Sequence, residues 1–191
     1  PRRLTEVVAI GSNPLEDEAS NLAMLRAGRC RVTGFEPQPE AWRRLQQAAG
    51  DLERCLPHAV GDGREHTLHV CAWSGFSSIF EPDPAQLALL TDFPRMAQVV
   101  ERLPVTTTRL DDVPDLRVVD HLKIDVQGAE LMIFQAARET LAATTSLQVE
   151  VGFHRLYRGQ PTFAEVDLEL RGQGFGPQGF VTPKTWPRAP H

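Results

Sequence analysis

The stretch Leu122-Lys123-Ile124-Asp125-Val126-Gln127-Gly128-Ala129-Glu130 decides the fold class. Apolar residues run into an acid, a glycine follows, and a second acid opens a helical pattern. This reads as a buried strand, a turn and a helix start. In an open α/β sheet, ligands bind outside the carboxyl ends of the strands. A carboxylate at Asp125 therefore stands where a ligand is met. Lys123 lies two residues earlier and shares its face of the strand. A lysine in an apolar strand is costly unless paired, and a carboxylate such as Asp125 or Glu150 would lower that cost. Glu130, in the first turn of the next helix, is stabilised there by the helix dipole as well as being a candidate site residue.

Working outward, a second strand ends in an acid: Val32-Thr33-Gly34-Phe35-Glu36-Pro37. Gly11 closes an earlier apolar strand, and Glu36 follows it at the interval expected of a nucleotide-binding sheet. A glycine after the first strand lets the backbone approach a ligand closely. An acid after the second can accept from both ribose hydroxyls. Favouring the next helix dipole is the competing role for Glu36. Asp62, at the close of the third strand, would lie near a bound adenine, and it is also a favoured turn residue.

The remaining pattern alternates strands and helices. Strands are expected over 6–10, 31–36, 54–60, 67–72, 105–110, 118–126 and 147–153. Helices are expected over 17–27, 40–49, 129–141 and 163–172. The strand over 118–126 is expected at the centre of the sheet. Residues 81–104 hold four prolines and read as an insertion near the ligand cleft. Such alternation predicts an α/β fold, a mostly parallel sheet with helices on both faces.

Composition narrows the function. The chain has 191 residues, enough for one domain with a sizeable core. Its net charge of −5 provides no electrostatic footprint for nucleic acid. No apolar run is long enough to span a membrane. Three cysteines without C-x-x-C spacing suit the core of a protein in a reducing compartment, and a cytoplasmic location is expected. The chain opens on Pro1 rather than Met, which suggests missing upstream residues.

Several chemistries lack their motifs. There is no G-x-G-x-x-G, so a nicotinamide-dependent oxidoreductase is disfavoured. No Walker A sequence, H-E-x-x-H or G-x-S-x-G occurs, and no metal site is expected. His154, just past the strand over 147–153, is a candidate general base.

Taken together, several blocks resemble the FkbM-type methyltransferases. They are Gly34-Phe35-Glu36-Pro37-Gln38-Pro39, Ala59-Val60-Gly61-Asp62, Gly75-Phe76-Ser77-Ser78, Thr108-Arg109-Leu110-Asp111-Asp112, the block 122–130, and Gln148-Val149-Glu150. The resemblance implies one methyltransferase-like domain over residues 1–191, with a Rossmann-like sheet that binds S-adenosylmethionine. It implies O-methyl transfer to a hydroxyl of a small molecule or sugar. The family's first motif, usually D-(I/V)-G-A-N, stands here as Ala9-Ile10-Gly11-Ser12-Asn13, with alanine in place of the acid that helps hold the methionine end.

On this reading Gly11 and Asn13 line the cofactor loop, Glu36 holds the ribose, and Asp62 lies by the adenine. Ser77 and Ser78 close over the cofactor. Asp125 sits by the sulfonium and the acceptor. Asp125 or His154 removes the acceptor proton, with Lys123 and Glu130 in support, and Tyr157 contacts the acceptor. The alternative is a non-catalytic relative that lost the cofactor, with Ala9 as its sign.

Overall fold

The structure is a computed structural model that describes residues 3–11, 22–114, 116, 118–181 and 185–189. Its elements in chain order are β1 (Thr5–Ile10), α1 (Leu22–Arg26), β2 (Cys30–Phe35), α2 (Pro39–Ala48), β3 (Glu53–Leu56), β4 (Ala59–Val60) and β5 (Glu65–Cys71). Next come α3 (Pro84–Leu87), α4 (Phe93–Met96), β6 (Val99–Thr108), β7 (His121–Ile124), α5 (Glu130–Ala136), α6 (Arg138–Ala142), β8 (Ser146–Val149) and α7 (Phe163–Gly172). The chain divides into two compact units. The first holds residues 1–64, 106–126 and 132–150, the second 65–105, 127–131 and 151–191.

The first unit is built on a five-stranded sheet of order β3-β2-β1-β7-β8. Every neighbouring pair in it is parallel. This is a Rossmann-like α/β sheet. Successive residues Val7, Val8, Ala9 and Ile10 are all buried, so β1 is covered on both faces. β1, not the strand over 118–126, is therefore the central one. β7 is shorter than expected and stands beside β1, with Val7 opposite His121 and Ile10 opposite Ile124.

The expected third strand is split. Pro57 has no N–H to donate to a ladder. Before it, β3 pairs with β2, Val32 opposite Glu53. After it, β4 pairs instead with β6, Ala59 opposite Thr107. β4, β6 and β5 form a separate sheet in that order.

The expected helix over 129–141 breaks at Ala137, whose φ of −118° and ψ of 37° are not helical. No glycine or proline causes this. Arg109 Nε donates to the Ala136 carbonyl at 3.0 Å. Asp111 accepts from the Glu139 N–H at 3.2 Å and the Thr140 N–H at 2.8 Å. A side chain distant in sequence thus caps α6 in place of a local residue. Burial pushes the Asp111 carboxyl up, but the Thr140 and Glu139 hydrogen bonds and the Arg109 charge outweigh it and hold it below its ordinary value.

In the second unit, Cys71, Phe76, Leu87, Phe93 and Ala97 form a buried cluster, with Leu90, Met96, Val99 and Leu156 packed against it. The insertion over 81–104 supplies much of it, through α3 and α4. Asp83 caps α3, accepting from the Ala85 N–H at 3.0 Å. β6 begins earlier than expected, at Val99, inside the stretch read as insertion. The tail pairs with the 89–91 loop: Thr91 N–H donates to the Pro187 carbonyl, and Ala189 N–H to the Leu89 carbonyl. α7 has the expected bounds, and its Glu165 accepts from the Thr162 N–H at 2.7 Å as in a capping box.

Candidate functional site

In the first unit the chain builds β1, β2 and β3 in one direction, then returns to place β7 on the other side of β1. The order reverses between β1 and β7, and the crevice outside the strand ends at such a point is where open α/β sheets bind ligands. Two sequence candidates stand there. Gly11 follows β1 directly and Asp125 follows β7 directly. They are joined through the backbone: the Asp125 N–H donates to the Ile10 carbonyl at 2.9 Å. Gly11 has φ +82°, and a Cβ built on it would overlap the Asp125 carbonyl oxygen. The glycine thus serves the close approach of two strand ends, not only that of a ligand. Asn13, the other residue assigned to this loop, lies outside the described residues.

Glu36 sits one step past β2, and its N–H donates to the Leu56 carbonyl at 3.0 Å. One carboxylate oxygen, Oε1, accepts from the Gln38 N–H at 2.8 Å, at the start of α2. The other oxygen has no protein partner among the described residues. The side chain is half-buried. Burial, with the Glu36 charge second, pushes the Cys55 thiol up to about 11. All three cysteines are buried, and none is in a disulfide.

Asp62 is held in its turn. Its Oδ1 accepts from the Arg64 N–H at 3.0 Å and from the Thr107 hydroxyl at 3.3 Å. Gly61 beside it is pressed on Thr107, which a Cβ at that position would overlap. Lys123 is flanked in register by Ala9 on β1 and Gln148 on β8. Glu150 lies just past β8, its N–H donating to the Ile124 carbonyl at 2.9 Å.

The second unit carries the rest. Ser78 is buried; its hydroxyl donates to the Gln127 carbonyl at 2.7 Å and accepts from the Phe80 N–H at 3.0 Å. The Ser77 hydroxyl accepts from the Cys71 N–H at 3.1 Å. Glu130 is buried at the first residue of α5, where its Oε1 accepts from the Gly128 N–H at 3.3 Å. His154 is exposed. Tyr157 is 1% exposed, and its phenol lies 3.1 Å from the Phe76 carbonyl and 3.3 Å from Gln127 Oε1.

Gln127 is the residue that sequence reasoning passed over. It adopts φ +54°, left-handed backbone that costs a non-glycine residue about 1–3 kcal/mol. Only its position before Gly128, in the quoted block, could have drawn attention to it. Among the described residues, no cluster of histidine, cysteine or acidic side chains could hold a metal ion. No helix among the described residues is long and apolar enough to cross a membrane.

A five-stranded parallel sheet whose strand order reverses between β1 and β7 defines an α/β protein with a Rossmann-like fold. The family model described as the methyltransferase FkbM domain matches residues 8–177, and the chain belongs to the FkbM methyltransferase family. The chain is also similar to the 2-O-methyltransferase NoeI of Sinorhizobium fredii (strain NBRC 101917 / NGR234). The two are 28% identical over 183 residues, covering 85% of this chain and 70% of that protein. No solved structure matches the chain significantly.

Proposed function

We propose that this protein is an S-adenosylmethionine-dependent methyltransferase that methylates a hydroxyl oxygen of a small molecule or sugar. The observation that carries the reading is the meeting of Gly11 and Asp125 at the β1/β7 switch point, with Glu36 at the end of the neighbouring β2. The family supports a methyltransferase, and a relative described as a 2-O-methyltransferase favours oxygen as the acceptor atom.

The donor set fits the cofactor. Glu36 is half-buried with one oxygen committed to the Gln38 N–H, which leaves the other to accept from ribose hydroxyls. Asp62 would lie by the adenine, and Gly11 and Asn13 would line the loop at the methionine end. S-adenosylmethionine supplies a methyl group activated on a sulfonium. The protein must align donor and acceptor and take the proton that the hydroxyl loses. Asp125 is the base of first choice, and exposed His154 the second. Lys123, two residues earlier in β7, would support Asp125. Three buried cysteines outside any disulfide fit a reducing compartment such as the cytoplasm.

The second reading, a relative that no longer binds the cofactor, is favoured by Ala9. It is buried in β1 where the family usually carries an acid. Calorimetric titration of S-adenosylmethionine and S-adenosylhomocysteine into wild type and Glu36→Ala decides between them. Micromolar binding that weakens by about 1 kcal/mol or more in the variant supports the enzyme. No binding to the wild type supports the second reading.

A further inference from the structure

The Tyr157 phenol has a single proton, and the Phe76 carbonyl and the Gln127 side chain both lie within its reach. Phe76 presents a backbone carbonyl, which can only accept. The phenol also reaches Gln127 Oε1 at 3.3 Å, so its one proton serves both acceptors. Ser78 holds the same residue from its other end, through the Gln127 carbonyl at 2.7 Å. Gln160 completes the brace. It is buried, its Oε1 accepts from the Leu156 N–H at 2.7 Å and the Tyr157 N–H at 3.2 Å, and its side chain lies beneath Gly128. A left-handed glutamine is thus gripped at backbone and side chain by groups that water does not reach. Backbone held in a sparsely populated conformation persists only when its surroundings over-determine it, and such sites cluster where ligands bind.

We propose that Tyr157 is a positioning residue for cofactor binding. Its buried phenol pins the left-handed turn at Gln127 and so sets the backbone that leaves Asp125 two residues earlier. The inference rests on the reading of Asp125 as a group beside the cofactor, and it gives Tyr157 a role through Gln127 rather than through contact with the acceptor.

The test is a double-mutant cycle read by calorimetry with S-adenosylhomocysteine as the probe. Tyr157→Phe keeps the ring and removes the grip; it should weaken binding about tenfold, the size of one lost buried hydrogen bond. Gln127→Gly accepts the left-handed turn without strain. In that background, adding Tyr157→Phe should change binding less than about twofold. A tyrosine that only fills the core would cost the same in both backgrounds, and that result overturns the proposal. So does unchanged binding in Tyr157→Phe. Amide exchange at Gly128 gives a second readout without ligand, and it should quicken in Tyr157→Phe but not respond to that change in the Gln127→Gly background. Wild-type protein that binds no S-adenosylhomocysteine would instead sink the cofactor reading itself. Binding in the wild type with no coupling in the cycle sinks only the positioning role.

Discussion

Gly11 and Asp125 meet backbone to backbone at the reversal of strand order, so closely that a Cβ on Gly11 would overlap the Asp125 carbonyl oxygen. The contact joins the ends of β1 and β7. Gly11, just past β1, has φ +82°.

Gly11→Ala should therefore be severe, losing about 2–5 kcal/mol from left-handed strain and displacement of the β7 end together. Gly28 is the control. It too has a positive φ, of +63°, but among the described residues nothing beyond its chain neighbours stands within 4 Å of a built Cβ. Gly28→Ala should cost only about 1 kcal/mol. Urea unfolding of both variants checks the contrast, and equal losses would refute the packing argument.

Asp111 should behave as the missing cap of α6. Asp111→Ala is expected to cost about 2 kcal/mol, since two helix N–H groups and the Thr140 hydroxyl lose their acceptor. Its folded carboxyl is held below the ordinary value of 3.8. That contribution is present above this pH and is lost as pH falls through the lower folded value. Asp111→Asn should flatten the stability profile in that acid window and leave the profile above pH 5 parallel to wild type.

Burial holds the His121 imidazole below its ordinary value of 6.5. Its Nδ1 lies 2.9 Å from the Ser146 hydroxyl. A depressed histidine favours the folded state above its unfolded pKa, so stability should fall as pH drops below 6.5. Urea midpoints between pH 7.5 and 5.5 for wild type and His121→Gln measure this; an unchanged slope in the variant would exclude His121 as the source.

Phe93 anchors the second unit. It is 3% exposed, and it packs edge-on against Phe76 at 4.9 Å and Trp186 at 5.2 Å between centroids. Phe93→Ala should cost about 3–5 kcal/mol as a buried cavity. Trp186 is 49% exposed, so Trp186→Ala should cost about 1 kcal/mol. Thermal unfolding that ranks the two the other way would mean the tail, not the cluster, holds this unit together.

Much of the first unit was legible because its determinants are local. Apolar runs marked β1, β2 and β7, and the residues just after them, Gly11, Glu36 and Asp125, mark strand ends in any parallel sheet. The helix at 163–172 carried its own capping box. Where the determinant was a partner distant in sequence, the reading failed. Nothing around Ala137 signals a break, because Arg109 and Asp111 make it. Pro57 was visible, yet its effect, sending β4 to another sheet, depends on where β6 runs.

The same division holds for the candidate site. Residue type alone marked Asp125 and Glu36 as carboxylates at strand ends, since burying a charge without purpose is costly. It also marked Tyr157, but could not say that its phenol would be buried against Phe76 and Gln127. Gln127 itself has no unusual neighbours in sequence; its left-handed backbone exists because Ser78, 49 residues earlier, and Tyr157, 30 residues later, hold it. Period, glycine and charge act over a few residues, so the sequence was enough to set a parallel α/β sheet with acids at its strand ends. That β1 is central, that Gly11 packs on Asp125 and that Gln127 is braced were not legible there, because each is a contact between segments far apart in the chain.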